Sequence, residues 1–215
     1  MVRSRRIASR RTLAYFELAY FELAYFGLAY FGLAYFGLAY FGLGLLPVPQ
    51  DSTDSLAMAL KVGDPAPDFE VTARQQGRDR VLSLQGVLAE RFLVLYFYPR
   101  DFTLVCTREA CGFRDSYDEL RSAGAEVVGV SVDDPVTHDR FARERGVTFP
   151  LVSDPQRKLA VRYGATSVLS SVMGISARMT FVIERSGGIV AIFDSAFRAS
   201  EHVDGARAAI RALKS

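Results

Sequence analysis

Cysteine and histidine are scarce in this chain: two of each among 215 residues, Cys106 and Cys111, His138 and His202. Two cysteines are too few for a disulfide scaffold, and a chain of this length can rely on an apolar core instead. Two histidines far apart in sequence, beside one cysteine pair, make a poor zinc-ligand set. Charge of one sign is lacking too. Against 26 Lys and Arg stand 24 Asp and Glu, a formal balance of +2. There is no acidic block to make a solvated tail, and no basic stripe interleaved with aromatics that would mark a nucleic-acid partner. The two cysteines therefore read as chemistry rather than scaffolding.

What the chain has in excess sits at its start. From residue 13 to 43 a five-residue unit repeats, LAYFE twice and LAYFG four times, before a closing LGL. Five steps on an α-helix advance about 140° beyond a full turn, so each residue type would spiral around the whole surface. Leu23 to Leu46 carries no formal charge and is long enough to span about 30 Å of hydrocarbon. Arginines 3, 5, 6, 10 and 11 precede it, which on a membrane segment would hold the N-terminus in the cytoplasm. Three readings stay open. The segment is a membrane anchor or signal-like leader, a low-complexity leader on a soluble protein, or the translation of a tandem repeat upstream of a start at Met58. Tyr hydroxyls, repeated Gly, and Glu17 and Glu22 make it a poor membrane helix or signal. The expected organisation is an appendage over 1–57, ending in a Pro- and Ser-containing linker, and one domain over 58–215.

Within that domain the pattern alternates. Phe92–Phe97 is an apolar run of strand length, with Pro99 beyond it. Residues 106–122 follow helical spacing, with Ala110, Phe113, Tyr117 and Leu120 on one face and Gly124 beyond the end. Residues 126–132 read as a second buried strand. Asp134 as N-cap, Pro135 at the first position and Gly146 as stop define a further helix. Another helix is expected from the Ser153-Asp154-Pro155 start to about Tyr163. A hairpin is expected around 186–188, between strands at 179–184 and 189–193. An amphipathic helix near 201–213 closes the chain. Strand–helix–strand units with a late hairpin predict an α/β fold, a central mixed β-sheet flanked by helices.

Cys106 falls at the end of a loop, in the first turn of a helix, where free N–H groups and the positive end of the helix dipole favour a thiolate. Thr103, three residues earlier, can fold its hydroxyl toward the sulfur. The spacing alone leaves two readings, a reactive thiol or an inert buried cysteine.

The residues Pro99, Thr103 and Cys106 form P-x-x-x-T-x-x-C, which resembles the active-site signature of the peroxiredoxin family. The T-R-E-A-C that follows, with Cys111 five residues on, resembles the Q-type subgroup, the bacterioferritin comigratory proteins. VGDPAPDF, VVGVSVDD, FPLVSDP and RMTFVI extend the similarity across 58–215. The resemblance implies a thioredoxin-like fold and a thiol peroxidase without metal, haem or flavin. It implies that Cys106 is the peroxidatic cysteine, that Thr103 hydrogen-bonds thiolate and peroxide, and that Pro99 shields the pocket from water. Arg178 matches the family's active-site arginine, whose fixed charge would stabilise the thiolate and polarise the O–O bond. Glu109 matches a subgroup position and would hold neighbouring groups in place or serve as a first-turn acid.

Cys111 is then the resolving cysteine, and a dithiol such as thioredoxin the reductant. On one intact helix the two Cα atoms stand about 8.6 Å apart, beyond the roughly 7 Å limit for a disulfide. Turnover therefore requires the helix start to unwind. One departure is Leu104-Val105, where many Q-type proteins have Pro-Gly, which bears on peroxide preference. With both cysteines in one chain and no third, a monomer is expected. The expected location is cytoplasmic, or membrane-anchored or exported if residues 1–57 are a true leader. Competing functions are a thioredoxin-type oxidoreductase, disfavoured because four residues separate the cysteines, a redox sensor, and a membrane-tethered peroxidase acting on lipid hydroperoxides.

Overall fold

The computed structural model describes residues 59–214; the pentapeptide leader, its linker and Met58 lie outside them. Seven strands form one mixed sheet: β1 (Glu70–Gln75), β2 (Arg78–Ser83), β3 (Phe92–Phe97), β4 (Ala125–Ser131), β5 (Leu151–Ser153), β6 (Met179–Ile183) and β7 (Ile189–Phe193). Their spatial order is β2-β1-β5-β4-β3-β6-β7. The middle trio, β3, β4 and β5, runs parallel, and both flanks are closed by antiparallel hairpins. Among the described residues six helices accompany the sheet: α1 (Leu84–Leu88), α2 (Leu104–Ser122), α3 (Pro135–Arg145), α4 (Lys158–Arg162), α5 (Val168–Val172) and α6 (Ala199–Lys214).

Period-two alternation in β3 builds two cores from one strand. Leu93, Leu95 and Phe97 face one side, where they join Leu84 and Leu88 of α1, Leu159 of α4 and Tyr163 at its C-terminal end. Val94 and Tyr96, with Tyr98 beyond the strand, face the other side. There they meet Phe113 and Leu120 of α2, Phe141 of α3 and Ile210 of α6. Burial on both faces accounts for the unbroken apolar run of β3 and the largely apolar one of β4, which Glu126 interrupts. In β4 a glycine is required: a Cβ at Gly129 would stand 2.7 Å from the Tyr96 hydroxyl and 2.8 Å from Leu151 Cδ2.

The site rests on α2. Its buried face is Cys106, Glu109, Ala110, Phe113, Ser116, Tyr117 and Leu120. Burying Phe113 and Leu120 contributes about 2–3 kcal/mol each. The C-terminal half of α2 is fastened to α6, where Glu119 accepts from both Arg207 and Arg211. Packing there is close: a Cβ on Gly112 would meet Val203 at 2.9 Å.

The helix at 135–145 follows its sequence signals in full. Asp134 accepts from the N–H groups of Val136 and Thr137, and Gly146 closes the helix at φ 68°. Its neighbour differs from expectation. α4 starts at Lys158 rather than at Pro155, with Arg157 as N-cap at φ 55°. The Asp154 carboxylate, instead of capping the next turn, reaches Ala160 N at 2.9 Å, while its carbonyl takes the Arg157 N–H. Among the described residues no helix is long and apolar enough to cross a membrane.

Candidate active site

Helix α2 begins where the parallel strand β3 ends, and the loop between them is built to hold one shape. Tyr98 donates to Asp101 Oδ1 at 2.7 Å, and His138 Nδ1 meets Asp101 Oδ2 at 2.8 Å. The Asp101 N–H donates to Asp133 at 2.7 Å. Phe102 then takes a left-handed conformation, φ 62°, which is uncommon for a bulky residue. Its ring is held by an edge contact with Phe141, 5.2 Å between centroids, and by the Arg140 guanidinium 4.6 Å over the ring. Such over-determination is what sustains a strained residue beside a site.

Thr103 follows in an extended conformation as N-cap, without a capping hydrogen bond from its side chain. Its hydroxyl donates to the Arg100 carbonyl oxygen at 3.2 Å. Pro99 is half-buried two residues beyond β3. Leu104, the first of the Leu-Val pair, is 68% exposed. Cys106 lies in the first turn and is 1% exposed, while Cys111 is half-buried and both are free thiols.

Arg178 approaches from the segment before β6 and makes three contacts, two to α2 and one to the loop after β7. Nη2 donates to Cys106 Sγ at 3.1 Å, Nη1 donates to Glu109 Oε2, and Nε donates to the Ala196 carbonyl at 3.0 Å. The guanidinium is buried and placed to stabilise an anion on the sulfur and on whatever the sulfur attacks. Glu109 is fully buried. Desolvation lifts its carboxyl to about 8, against the opposing pull of Arg178. Behind it stand Thr180 and His202, both fully buried. Burial, and behind it the Arg178 charge, pushes the His202 imidazolium down.

Four of the sequence-predicted residues thus occupy one short stretch, and β6 brings Arg178 to it across 72 positions. Cys106 and Arg178 meet directly. Thr103 is adjacent but bonds to Arg100 rather than to sulfur. In the sequence His138 and His202 stand out only as too few and too far apart for a zinc site, and nothing singles out Asp101 or Thr180. A polar residue at a core-facing helical position was the one available signal for the histidines.

A buried thiol at a helix start, gripped by a fixed guanidinium on a mixed sheet of this topology, defines a cysteine-based redox enzyme of thioredoxin-like fold. The AhpC/TSA family pattern matches residues 62–192. Peroxiredoxin Q of Populus jackii is 36% identical over 161 residues, 74% of this chain and 73% of its own. The chloroplastic peroxiredoxin Q of Arabidopsis thaliana is 36% identical over 159 residues, 74% and 71%. Peroxidoxin BcpB from Mycobacterium tuberculosis matches in structure with a TM-score of 0.63 at 35% identity, over 73% of this chain and 99% of that one. AhpC of Mycobacterium bovis has a TM-score of 0.64 at 24% identity over 74% and 94%, a likeness of fold. The chain belongs to the AhpC/TSA family, as a peroxiredoxin with Q-type relatives. It is a thiol-dependent peroxidase.

Proposed function

We propose that the domain from residue 58 onward reduces hydrogen peroxide and small organic hydroperoxides through Cys106, with Cys111 as the resolving thiol. The observation that carries this reading is the 3.1 Å contact from Arg178 Nη2 to Cys106 Sγ at the base of α2. The Cys106 thiolate attacks the terminal peroxide oxygen. The O–O bond breaks with its electron pair going to the second oxygen, which leaves as water or alcohol after protonation. Arg178 stabilises both the thiolate and the developing oxyanion. Thr103, one turn away, turns its hydroxyl from Arg100 to the peroxide on binding, and Pro99 walls the pocket. The Cys111 thiolate then attacks the Cys106 sulfenic sulfur; the S–S bond forms as the S–O bond breaks, and the departing hydroxide takes up a proton from solvent and leaves as water. A dithiol protein of the thioredoxin kind reduces the disulfide by exchange.

Both cysteines lie on one helix, so a monomer completes the cycle without a second subunit. The reductant requires a thiol-reducing compartment, the cytoplasm in the simplest case.

The test is peroxide consumption by the full chain, and by a chain starting at Met58, with thioredoxin, thioredoxin reductase and NADPH. We expect turnover by both. Cys106→Ser should be inactive, and Cys111→Ser should reduce at most one peroxide per chain. Wild-type turnover by Cys106→Ser would sink the assignment. A single unrecycled reaction by the native chain would point instead to a sensor, or to a different reductant.

A further inference from the structure

His138 is fully buried and plays no part in the reaction as described, yet its contacts converge on the loop that carries Thr103. Its Nε2 lies 3.3 Å from the Val152 carbonyl oxygen of β5. Its Nδ1 lies 2.8 Å from Asp101 Oδ2, a carboxylate oxygen that accepts, so Nδ1 donates. The other oxygen of that carboxylate accepts from Tyr98. The Asp101 N–H donates to Asp133, whose carboxylate also accepts from Ser131 at the end of β4. Residue 101 is thus held by side chain and backbone at once. Residue 102 is held from the same helix. Phe141 stands three positions after His138 on α3, and so on the same face. It meets the Phe102 ring edge-on, while Arg140 lies over that ring.

Thr103 comes next, and its own side chain does not fix it. The hydroxyl makes no capping bond and reaches the Arg100 carbonyl oxygen at 3.2 Å, a contact it must give up to meet a peroxide. The turn before it sets where its backbone stands. Phe102 is at φ 62°, a conformation that a bulky residue keeps only where its surroundings over-determine it. Were Phe102 to return to negative φ, the chain would leave the loop in another direction and carry Thr103 away from Cys106. The sulfur would not follow. Arg178 grips it from the segment before β6, and among the described residues none of the Arg178 hydrogen bonds reaches α3. Helix α2 itself stays fastened to α6 through Glu119.

We propose that His138 is a positioning residue for peroxide reduction, acting through Asp101 on Thr103. With Phe141 it clamps the loop, so that the Thr103 backbone stands still while its hydroxyl is free to turn from Arg100 to the bound peroxide. The site then has two independent holds: α3 places the hydroxyl, and the segment before β6 places the thiolate. The inference rests on the proposed roles of Cys106 and Thr103.

The full chain carrying Cys111→Ser keeps Cys106 as its only thiol and allows a direct test. In it His138→Leu removes the donor to Asp101, whereas His138→Asn sets an amide N–H near the place of Nδ1 and keeps it. Misplacing a reacting group by about 1 Å can cost about 10² in rate, so His138→Leu should slow single-turnover peroxide loss about tenfold or more. The ultraviolet absorbance of the Cys106 thiolate should be unchanged, and His138→Asn should restore most of the rate. Thr103→Val keeps the β-branched shape and loses no side-chain cap. On that background His138→Leu should add little, the non-additivity expected of residues that act as one unit. An equal loss with and without Thr103→Val would overturn the inference. So would a native rate in His138→Leu, loss of its thiolate absorbance, or a Thr103→Val that costs nothing. If the bare Asp101 carboxylate keeps His138→Leu from folding, Phe102→Ala removes the second hold from a half-buried position. It must slow peroxide loss only where Thr103 is present, and a loss indifferent to Thr103 overturns the inference. If the chain with Cys111→Ser alone adds no oxygen to Cys106 by mass, the proposed reaction itself has failed.

Discussion

Substituting Arg108 by glycine should speed closure of the Cys106–Cys111 disulfide about fivefold relative to substituting it by alanine. Arg108 lies between the two cysteines on the exposed side of α2. On the intact helix those cysteines are held about 8.6 Å apart at Cα, against a disulfide limit of roughly 7 Å. In the proposed cycle the sulfenic acid therefore waits for the segment 104–111 to unwind, and closure should proceed at a rate proportional to the open fraction. Glycine disfavours a helix interior by about 1 kcal/mol relative to alanine, and at an exposed position little else changes. One kcal/mol is about a factor of five in the open population. The opening has a natural limit at residue 112, where Gly112 packs on Val203 and Glu119 is tied to Arg207 and Arg211. Mixing reduced enzyme with one equivalent of peroxide, quenching in acid at intervals and alkylating would resolve the sulfenic and disulfide forms by mass. Loss of peroxide itself should proceed equally in both variants. Equal closure rates for Arg108→Gly and Arg108→Ala would show that unwinding does not govern the step, and the helical argument would fall.

Three further outcomes follow from the geometry. Arg178→Lys replaces a fork that serves Cys106, Glu109 and Ala196 at once with a point charge, and peroxide reduction should fall about 10²-fold or more; stopped-flow peroxide loss is the check. Glu109 keeps its proton up to about 8 in the fold, whereas a free side chain loses it near 4.5, so between those values unfolding releases a proton and stability drops as pH rises. Its share of the slope is at most about 1.4 kcal/mol per pH unit, and denaturant midpoints from pH 5 to 9 should fall less steeply for Glu109→Gln. Gly129→Ala would press a methyl into Tyr96 and Leu151 and should cost about 1–3 kcal/mol by overpacking, read as a lowered thermal midpoint.

The sequence foretold the elements whose local chemistry and tertiary packing agree. β3 and β4 announce themselves by continuous apolar runs, α3 by Asp134, Pro135 and Gly146, and the β6–β7 hairpin by its Ser-Gly-Gly turn. The helix face Ala110, Phe113, Tyr117 and Leu120 is buried as its spacing requires. What stayed hidden was decided at a distance. Four residues from Arg78 to Val81 of β2 are exposed, so its pattern gives no two-sided apolar run, and pairing with β1 alone makes it a strand. α1 and α5 are five residues long, too short to show a period. In the site, Cys106, Thr103 and Pro99 were legible from one short motif. The grip of Arg178 on sulfur was foreshadowed only by resemblance, because no local rule links positions 106 and 178. The Glu109–Thr180–His202 cluster depends on three elements meeting, and nothing in the spacing of those residues announces it.

Glu109 sits inside the five-residue span from Cys106 to Cys111, on the stretch that must come apart if Cys111 is to resolve Cys106 as proposed. In the proposed cycle the thiolate is already gone when that ring closes, and closure then draws Glu109 away from Arg178 as well. The oxidised enzyme is thereby disarmed as well as spent. A reductant acting on it has two tasks, to cleave the sulfur bond and to let the helix rewind around the guanidinium before another peroxide can be accepted.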